Sequence, residues 1–137
     1  MATNDLNRQV IEEFRANAGR VGGNYEGRPL LLLTTTGRKT GRTHTTPVMY
    51  LADGNGYCVF ASKGGAPEHP AWYLNLVANP RAIVEVGTER FEARATVIGP
   101  DERDALYRKQ ASLYGQFAEY QRKTTRTIPV VRLTRTN

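Results

Sequence analysis

The sequence predicts a mainly β protein of the α+β class, in which six antiparallel strands form a small barrel covered by helices. Two observations indicate this fold. Segments with strand composition recur along the chain, and turn signals at residues 53–56 (DGNG) and 87–88 (GT) join neighbouring segments as hairpins. Helical periodicity is confined to three stretches, at the start, in the middle and before the last strand.

The first stretch, residues 5–18, is an amphipathic helix in which Val10, Ile11 and Phe14 recur at helical spacing and Gly19 follows as a stop. A Gly-rich connector leads from it to the first strand. We therefore expect an N-terminal unit over residues 1–28 and a barrel over residues 29–137. The helix either covers the core or serves as a lid or weak membrane contact, although Glu12 and Glu13 oppose binding to an acidic membrane.

The first two strands, residues 30–35 and 45–51, flank a turn that organises the chain. Arg38, Lys39 and Arg42 place three cations within six residues, beside Gly37 and Gly41. A hairpin tip of this kind presents backbone N–H groups, hydroxyls and fixed positive charge, which a phosphate or an oligocarboxylate requires. A solvated basic turn without a ligand is the alternative. The pattern is not a Walker phosphate-binding loop.

The third strand, residues 57–62, runs into a loop in which Lys63, Gly64 and Gly65 expose their backbone. Cys58 within that strand is most simply a small buried hydrophobe. A helix over residues 71–79 starts after a proline and stops before another. Its Trp72 belongs to an apolar side, and Asn75 lies on a neighbouring face.

The fourth and fifth strands, residues 82–86 and 90–98, form a hairpin, and the sixth covers residues 128–134. The helix between them, residues 101–120, is kinked or split by Gly115. Tyr114, Phe117 and Tyr120 are spaced by three, so we expect them on one side of that helix. Such a stripe is usually core, but two phenol hydroxyls each need a partner there.

Composition limits the function. The chain has 137 residues, 39% of them hydrophobic, which suits one domain with a sizeable core. A net charge of +6 predicts attraction to nucleic acid, an acidic membrane face or an anionic small molecule. One cysteine excludes an internal disulfide, and no signal peptide or spanning segment is evident, so we expect a cytoplasmic protein. No spacing of His, Cys, Asp and Glu suggests a metal site.

Four motifs carry a family resemblance. Together and in this order, they are similar to the deazaflavin-dependent nitroreductase family, whose members use coenzyme F-420: residues 32–42 (LLTTTGRKTGR), 61–65 (ASKGG), 70–80 (PAWYLNLVANP) and 126–131 (RTIPVV). The resemblance implies a split β-barrel related to flavin reductases. It also implies hydride transfer from the reduced deazaflavin to quinones or nitroaromatic compounds, which requires no catalytic triad and no metal.

The resemblance also implies site residues. The basic turn and its flanks would bind the anionic part of the cofactor, the loop after the third strand would lie along the deazaflavin, and the helix after that loop would border the tail or the phosphate. These residues are Thr34, Arg38, Lys39, Thr40, Gly41, Arg42, Thr43, Ala61, Ser62, Lys63, Gly64, Gly65, Trp72 and Asn75. The catalytic donors would be Ser62, Tyr114 and Tyr120. Met49 and Phe117 would complete the substrate pocket with the two tyrosines. Phe117 replaces a tyrosine of the nitroimidazole-activating member, which favours quinone over nitro reduction.

Two other functions fit the same chain. An FMN-binding split-barrel oxidoreductase would share the fold, but the basic turn favours the more anionic deazaflavin. A single-strand nucleic-acid binder would interleave aromatic and basic residues, whereas here most aromatics lie in the last helix, apart from the basic turn. We therefore expect the anionic cofactor and a small acceptor molecule as partners, a homodimer, and no nucleic acid.

Overall fold

The computed structural model describes residues 3–136, except the side chains of residues 3–6 and 24. Residues 1, 2 and 137, which belong to the expected units 1–28 and 29–137, lie outside the described residues. The strands are Leu30–Thr36 (β1), Thr43–Asp53 (β2), Gly56–Phe60 (β3), Arg81–Val86 (β4), Glu89–Val97 (β5) and Val130–Arg135 (β6). The helices are Thr3–Ala16 (α1), Ala71–Ala78 (α2), Pro100–Leu113 (α3) and Gln116–Lys123 (α4), with 3-10 turns at Gly23–Tyr25 and Lys63–Gly65.

The six strands form a closed antiparallel barrel in the order β1-β2-β3-β6-β5-β4. Pairing of Thr34 in β1 with Ile83 in β4 belongs to the ladder that closes it. The predicted antiparallel barrel with covering helices is therefore confirmed. The β2 strand is longer than predicted, because Thr36 and Thr43 still pair at the base of the basic turn.

The predicted helix over residues 101–120 is split into α3 and α4. Tyr114 has an extended backbone, with φ −135° and ψ 97°, so it lies between the two helices. The expectation that it shares one helical side with Phe117 and Tyr120 is therefore wrong. The spacing rule holds only along a continuous helix, and the chain at Gly115 starts a new one.

The barrel interior is one apolar cluster, which Leu31 and Leu33 of β1 enter from one side of the strand. Trp72 and Leu76 of α2 pack into the same cluster, so α2 covers one opening of the barrel. On the other side of β1, Leu30 and Leu32 are also buried. Burial of both faces explains why this strand begins as four consecutive leucines rather than as an alternating pattern.

The helix α1 covers that outer face of β1. Val10 and Phe14 pack against Leu30 and Leu32, and burial of a side chain such as phenylalanine contributes roughly 1.5–3 kcal/mol. Arg15 adds two hydrogen bonds to the carboxylate of Glu85 in β4, at 3.0 and 2.8 Å. The N-terminal segment is thus docked on the barrel. No helix of the described chain has the length and apolar character needed to cross a bilayer.

The end of α1 depends on a close approach between two backbones. Gly19 has φ +93°, and a Cβ at this position would lie 2.8 Å from the Cα of Gly87 in the β4–β5 turn. Its N–H closes the helix by donating to the Phe14 carbonyl oxygen at 2.8 Å. Only glycine meets both conditions, because an L side chain is strained at this φ and has no space here.

We therefore expect Gly19→Ala to lower the free energy of unfolding by about 2–4 kcal/mol, adding an overpacking cost to the backbone strain. The matched control is Gly27→Ala, which has φ +73° but nothing within 4 Å of the added Cβ. Strain alone should cost the control about 1–2 kcal/mol. Urea denaturation measures both, and equal losses in the two variants would show that the contact with Gly87 contributes nothing.

Candidate functional site

The basic turn, residues 37–42, is held in a compact shape by its own hydrogen bonds. The Gly37 N–H donates to the Arg42 carbonyl oxygen at 2.7 Å, and the Gly41 N–H donates to the Gly37 carbonyl oxygen at 2.9 Å. The Thr40 hydroxyl accepts from the Arg42 N–H at 3.2 Å. Arg38, Lys39 and Arg42 are exposed, and none forms an ion pair within residues 3–136. The turn therefore carries three uncompensated positive charges on a fixed backbone.

Asn75 of α2 holds this turn against the barrel. Its side chain is 4% exposed, and its Oδ1 accepts from the Arg38 N–H at 3.1 Å. Its Nδ2 donates to the Thr35 hydroxyl of β1, also at 3.1 Å. One amide thus joins α2, β1 and the turn. Because unsatisfied groups at a buried position would be costly, the amide sets the relative placement of all three.

A cavity of about 670 Å³ opens beside the turn. Five elements contribute to its wall, and its described lining residues include Arg8, Arg38 and Lys39 but no Asp or Glu. The full lining is Asn7, Arg8, Ile11, Thr35, Gly37, Arg38, Lys39, Thr40, Thr43, His44, Thr45, Thr46, Ala71, Trp72 and Asn75. Its chemistry is that of an anion site: positive charge, hydroxyl groups and one indole, with no carboxylate to compete.

Six of the predicted cofactor residues line this cavity, namely Arg38, Lys39, Thr40, Thr43, Trp72 and Asn75. Gly41 and Arg42 belong to the turn but not to the lining, and Thr34 lines a different cleft. The sequence analysis missed the contribution of α1, from Asn7, Arg8 and Ile11. The amphipathic pattern of α1 indicated that one face is buried, but it carried no signal for which residues would reach the turn.

The loop over residues 61–66 has an unusual backbone. Lys63, Gly64 and Gly65 all have positive φ, at +47°, +63° and +86°. A Cβ on Gly65 would lie 2.8 Å from the Tyr120 carbonyl oxygen, so the loop packs directly on α4. Positive φ at a lysine is uncommon and persists only where neighbouring structure imposes it.

This backbone leaves hydrogen-bond donors unused. The loop makes two internal bonds, from the Gly65 N–H to the Ser62 carbonyl oxygen and from the Ala66 N–H to the Lys63 carbonyl oxygen. Within the described part of the chain, the N–H groups of Lys63 and Gly64 and the hydroxyl of Ser62 have no partner. Ser62 is only 9% exposed. The loop therefore offers two N–H groups and one hydroxyl to a ligand.

Arg126 imposes the shape of this loop. Its Nε donates to the Ala66 carbonyl oxygen at 3.0 Å, its Nη1 to the Ala61 carbonyl oxygen at 3.1 Å, and its Nη2 to the Ser62 carbonyl oxygen at 2.9 Å. Nη1 also donates to His69 Nδ1 at 3.1 Å. Burial, and then the charge of Arg126, lower the pKa of His69, which favours the neutral, accepting imidazole.

Arg126 was quoted only as part of a motif in the sequence analysis, and no role was expected of it. It is separated from Ser62 by 64 positions, and no local pattern shows which carbonyl groups a distant guanidinium will meet. Gln121 supports it, because Gln121 Nε2 donates to the Arg126 carbonyl oxygen at 2.8 Å. The five fixed donors of a guanidinium suit this task better than the single ammonium group of lysine.

The predicted acceptor pocket is divided between core and surface. Phe117 is 5% exposed and packs its ring on Phe60 and Tyr120, so it lies in the core, and its role in a pocket stays a prediction. Tyr107 donates to the Phe117 carbonyl oxygen at 2.6 Å, and burial raises the pKa of Tyr107 to about 12. That buried hydroxyl fixes the start of α4.

Tyr114 and Tyr120 are half-buried, and within residues 3–136 neither hydroxyl has a hydrogen-bond partner. The Arg28 guanidinium lies 5.9 Å from the centre of the Tyr114 ring. The sulfur of Met49 lies 4.0 Å from Arg28 Nη1 and 3.9 Å from Gln116 Nε2. Both phenols thus remain available as donors.

In the described ranges no three His, Cys, Asp or Glu side chains are grouped as a metal ion would need.

Comparison with known proteins identifies one family. The family model described as F420H(2)-dependent quinone reductase matches residues 6–135. An F420H(2)-dependent quinone reductase of Mycobacterium tuberculosis is 42% identical over 126 residues, covering 89% of this chain and 85% of that protein.

Two solved structures agree with this. A structure titled F420-H2 dependent reductase is 39% identical, covers 77% of this chain and 94% of its own, and has a TM-score of 0.70. A structure titled as a domain-swapped dimer is 34% identical, covers 97% and 99% of the two chains, and has a TM-score of 0.72.

We expect Arg126→Lys to free the loop over residues 61–66, because an ammonium group cannot reach three carbonyl groups at once. Hydrogen–deuterium exchange of this loop should be faster by about tenfold or more, corresponding to the loss of one or two charge-assisted bonds. The control is Arg122→Lys, a change at an exposed arginine paired with Glu119 on α4. The same exchange in wild type and Arg126→Lys would show that Gly65 packing alone holds the loop.

Proposed function

The chain belongs to the F420H(2)-dependent quinone reductase family, and on this premise we propose which of its residues carry the activity. It is an oxidoreductase that uses coenzyme F-420. The observation that supports the proposal most is the cavity beside the basic turn, where three cations and no described carboxylate line about 670 Å³. We propose that this cavity takes the anionic part of the cofactor, and that the acceptor is a quinone or a related small organic compound.

The residues of the basic turn fit the cofactor in two respects. Its phosphodiester and carboxylate groups need cations, and Arg38, Lys39 and Arg42 have no ion-pair partner within residues 3–136. They also need a turn that does not have to reorganise, which the bonds of Gly37 and Asn75 provide. A pre-formed donor array lowers the entropic cost of binding.

We assign Asn75 a positioning role, because its Oδ1 and Nδ2 already bond to the Arg38 N–H and the Thr35 hydroxyl. Thr40, Gly41 and Thr43 would contact the anion from the turn and its base. Trp72 would border the same cavity with its indole. Thr34 is set apart from these residues and contributes to a neighbouring cleft.

The loop over residues 61–66 would hold the deazaflavin ring through the free N–H groups of Lys63 and Gly64, with Ala61 and Gly65 maintaining the backbone. Bound reduced F-420 supplies a hydride to the acceptor, so the chain itself needs no nucleophile and no metal. The protein's tasks are to position both molecules and to exclude water. Arg126 serves the first task by fixing the carbonyl groups of Ala61, Ser62 and Ala66.

The hydroxyls of Ser62, Tyr114 and Tyr120 are the proposed catalytic donors. A quinone oxygen gains negative charge as it is reduced, and a hydrogen bond aimed at it stabilises the transition state. Met49 would add an apolar surface near Tyr114, and Phe117 supports Tyr120 through a ring contact of 5.3 Å. Because position 117 lacks a hydroxyl, we propose quinones rather than nitroaromatic compounds as the preferred acceptors.

We further propose a homodimer, supported by the similar structure that is titled a domain-swapped dimer. A cytoplasmic location suits a chain whose single cysteine, Cys58, is free and buried. Weak membrane association through α1 has less support, because Val10 and Phe14 are buried against the barrel rather than exposed. A nucleic-acid role has less support, because Trp72, the one Phe, Trp or Tyr residue among the described lining residues of the cavity, is buried and only 8% exposed.

We expect the purified protein to bind oxidised F-420 at least about tenfold more tightly than FMN. The additional anionic groups of the deazaflavin can each form charge-assisted contacts with the turn, and one such contact accounts for about a tenfold difference. Fluorescence quenching measures both affinities under the same buffer and salt. FMN binding as tight as F-420 binding would contradict the cofactor assignment.

We expect Tyr114→Phe or Tyr120→Phe to reduce quinone turnover with cofactor affinity intact, since the ring is kept and one donor is lost. A lost transition-state donor typically costs on the order of 100-fold. Steady-state oxidation of reduced F-420 by menadione measures the effect. The control is Tyr107→Phe, which should lower stability by about 1 kcal/mol through loss of its bond to Phe117 and leave turnover unchanged. Unchanged turnover in both Tyr114→Phe and Tyr120→Phe would remove the phenols from the mechanism.

A further inference from the structure

Two strong hydrogen-bond donors converge on one sulfur atom at the proposed acceptor pocket. Arg28 Nη1 lies 4.0 Å from the sulfur of Met49, and Gln116 Nε2 lies 3.9 Å from the same atom. Within residues 3–136 neither side chain donates to any other acceptor. Because a thioether is a weak acceptor, most of the hydrogen-bonding capacity of the guanidinium and of the amide is unused.

The guanidinium of Arg28 also lacks a counter-ion. Arg28 is half-buried, and in the described part of the chain it forms no ion pair. The nearest acidic residue in sequence, Glu26, does not pair with it, and Glu13 accepts instead from the Gly22 N–H at 2.8 Å. A partly desolvated cation without a carboxylate partner favours binding of an anion.

The surroundings of Arg28 suit an aromatic molecule. The guanidinium lies 5.9 Å from the centre of the Tyr114 ring, and Met49 is packed between the cluster under α1 and the cluster under α3 and α4. Tyr25 and Arg28 line a cleft of about 630 Å³ formed by the end of α1 and the Gly-rich connector, residues 19–28. An apolar surface, a ring and a cation at one edge are what a flat molecule with a charged substituent requires.

This cation is separate from those assigned to the cofactor. Arg28 does not belong to the described wall of the cavity beside the basic turn, where Arg38 and Lys39 lie. It contacts Tyr114 instead, which is one of the proposed donors to the acceptor. A ligand bound to Arg28 would therefore lie on the acceptor side of the site.

We propose that Arg28 and Gln116 bind an anionic substituent of the acceptor, such as a sulfonate, a carboxylate or an ionised hydroxyl group on the quinone ring. This rests on the function proposed above, in which Tyr114 donates to a quinone oxygen. The guanidinium would pair with the anion, and the amide of Gln116 would donate a second hydrogen bond to it. Met49 would contact the ring. The substrate class is then anionic quinones, in preference to neutral quinones of similar size.

Steady-state oxidation of reduced F-420 by two acceptors tests this inference. The first, 1,4-naphthoquinone-2-sulfonate, is anionic over the whole working pH range, and the second, menadione, has the same ring system without charge. The readout is the ratio of their kcat/KM values in wild type, Arg28→Gln and Gln116→Ala, since comparing this ratio between variants cancels the intrinsic reactivity of each quinone.

We expect the ratio to fall by about tenfold in Arg28→Gln, because a half-buried charge-assisted contact lies between an exposed ion pair and a fully shielded one. Gln116→Ala should lower it by about 2- to 5-fold, through loss of one amide donor. Both losses should appear mainly as a higher KM for the sulfonate, since the substituent is bound alike before and during hydride transfer. If Arg28 only packs on Tyr114, its loss would lower stability without changing the ratio.

The matched control is Arg20→Gln, which removes the same charge from an exposed arginine of the same connector and should keep the wild-type ratio. Arg28→Lys keeps the charge and should retain part of the preference. An unchanged ratio in Arg28→Gln, or an equal fall in Arg20→Gln, would overturn the assignment, while turnover of menadione by wild type would leave the proposed function intact. Failure of wild type to oxidise reduced F-420 with either quinone would overturn the proposed function as well.

A pair of ligands that cannot be reduced gives a readout independent of turnover. Naphthalene-2-sulfonate and the neutral naphthalene-2-sulfonamide share one ring system and differ in charge. In calorimetric titrations of the protein with oxidised F-420 bound, wild type should bind the sulfonate more tightly, and Arg28→Gln should bind the two alike. Equal affinity for the pair in wild type would contradict the assignment. Thermal melts of each variant check that the fold is intact.

Discussion

The strand β1 is hydrogen-bonded on both edges and buried on both faces, and the site depends on that constraint. Its pairing with β2 and β4 closes the barrel. Leu31 and Leu33 enter the interior, while Leu30 and Leu32 receive α1. A strand fixed in this way cannot shift its register without exposing leucine. The basic turn that follows it is therefore held in a defined place, with Thr35 available to Asn75.

Two side chains from distant parts of the sequence hold the basic turn and the loop over residues 61–66 in place. Asn75 satisfies the Arg38 N–H in the basic turn, and Arg126 satisfies three carbonyl groups of residues 61–66. Each of these side chains makes hydrogen bonds that water would otherwise make. Within residues 3–136 the N–H groups of Lys63 and Gly64 have no partner, so they remain available to a ligand. The cations follow the same division: Arg132, which stabilises the barrel, is paired with Asp53, whereas Arg38, Lys39 and Arg42 of the basic turn form no ion pair within residues 3–136.

The sequence was sufficient for the features that local chemistry determines. Turn residues placed the hairpins, β-branched and alternating segments placed the strands, and Arg38 and Lys39 marked the turn that lines the larger cavity. Features that arise from contacts between residues far apart in the chain could not be predicted from the sequence. The three bonds of Arg126 span 60–65 positions, and the approach of Arg8 to the turn follows from docking of α1 on β1. Tyr114 was misplaced because helical spacing was extended across the break at Gly115, although the glycine itself had indicated a kink or split there.

The most direct test of this account is the salt dependence of F-420 binding to Lys39→Ala and Arg42→Ala, with Arg108→Ala on the exposed face of α3 as the charge-matched control. The account predicts affinity lower by about tenfold to a hundredfold in the turn variants, because each charge-assisted contact contributes roughly 1.5–3 kcal/mol. Their salt dependence should also be shallower than that of wild type and the control. Unchanged affinity and an unchanged salt slope in both turn variants would contradict it and leave the turn as a solvated hairpin.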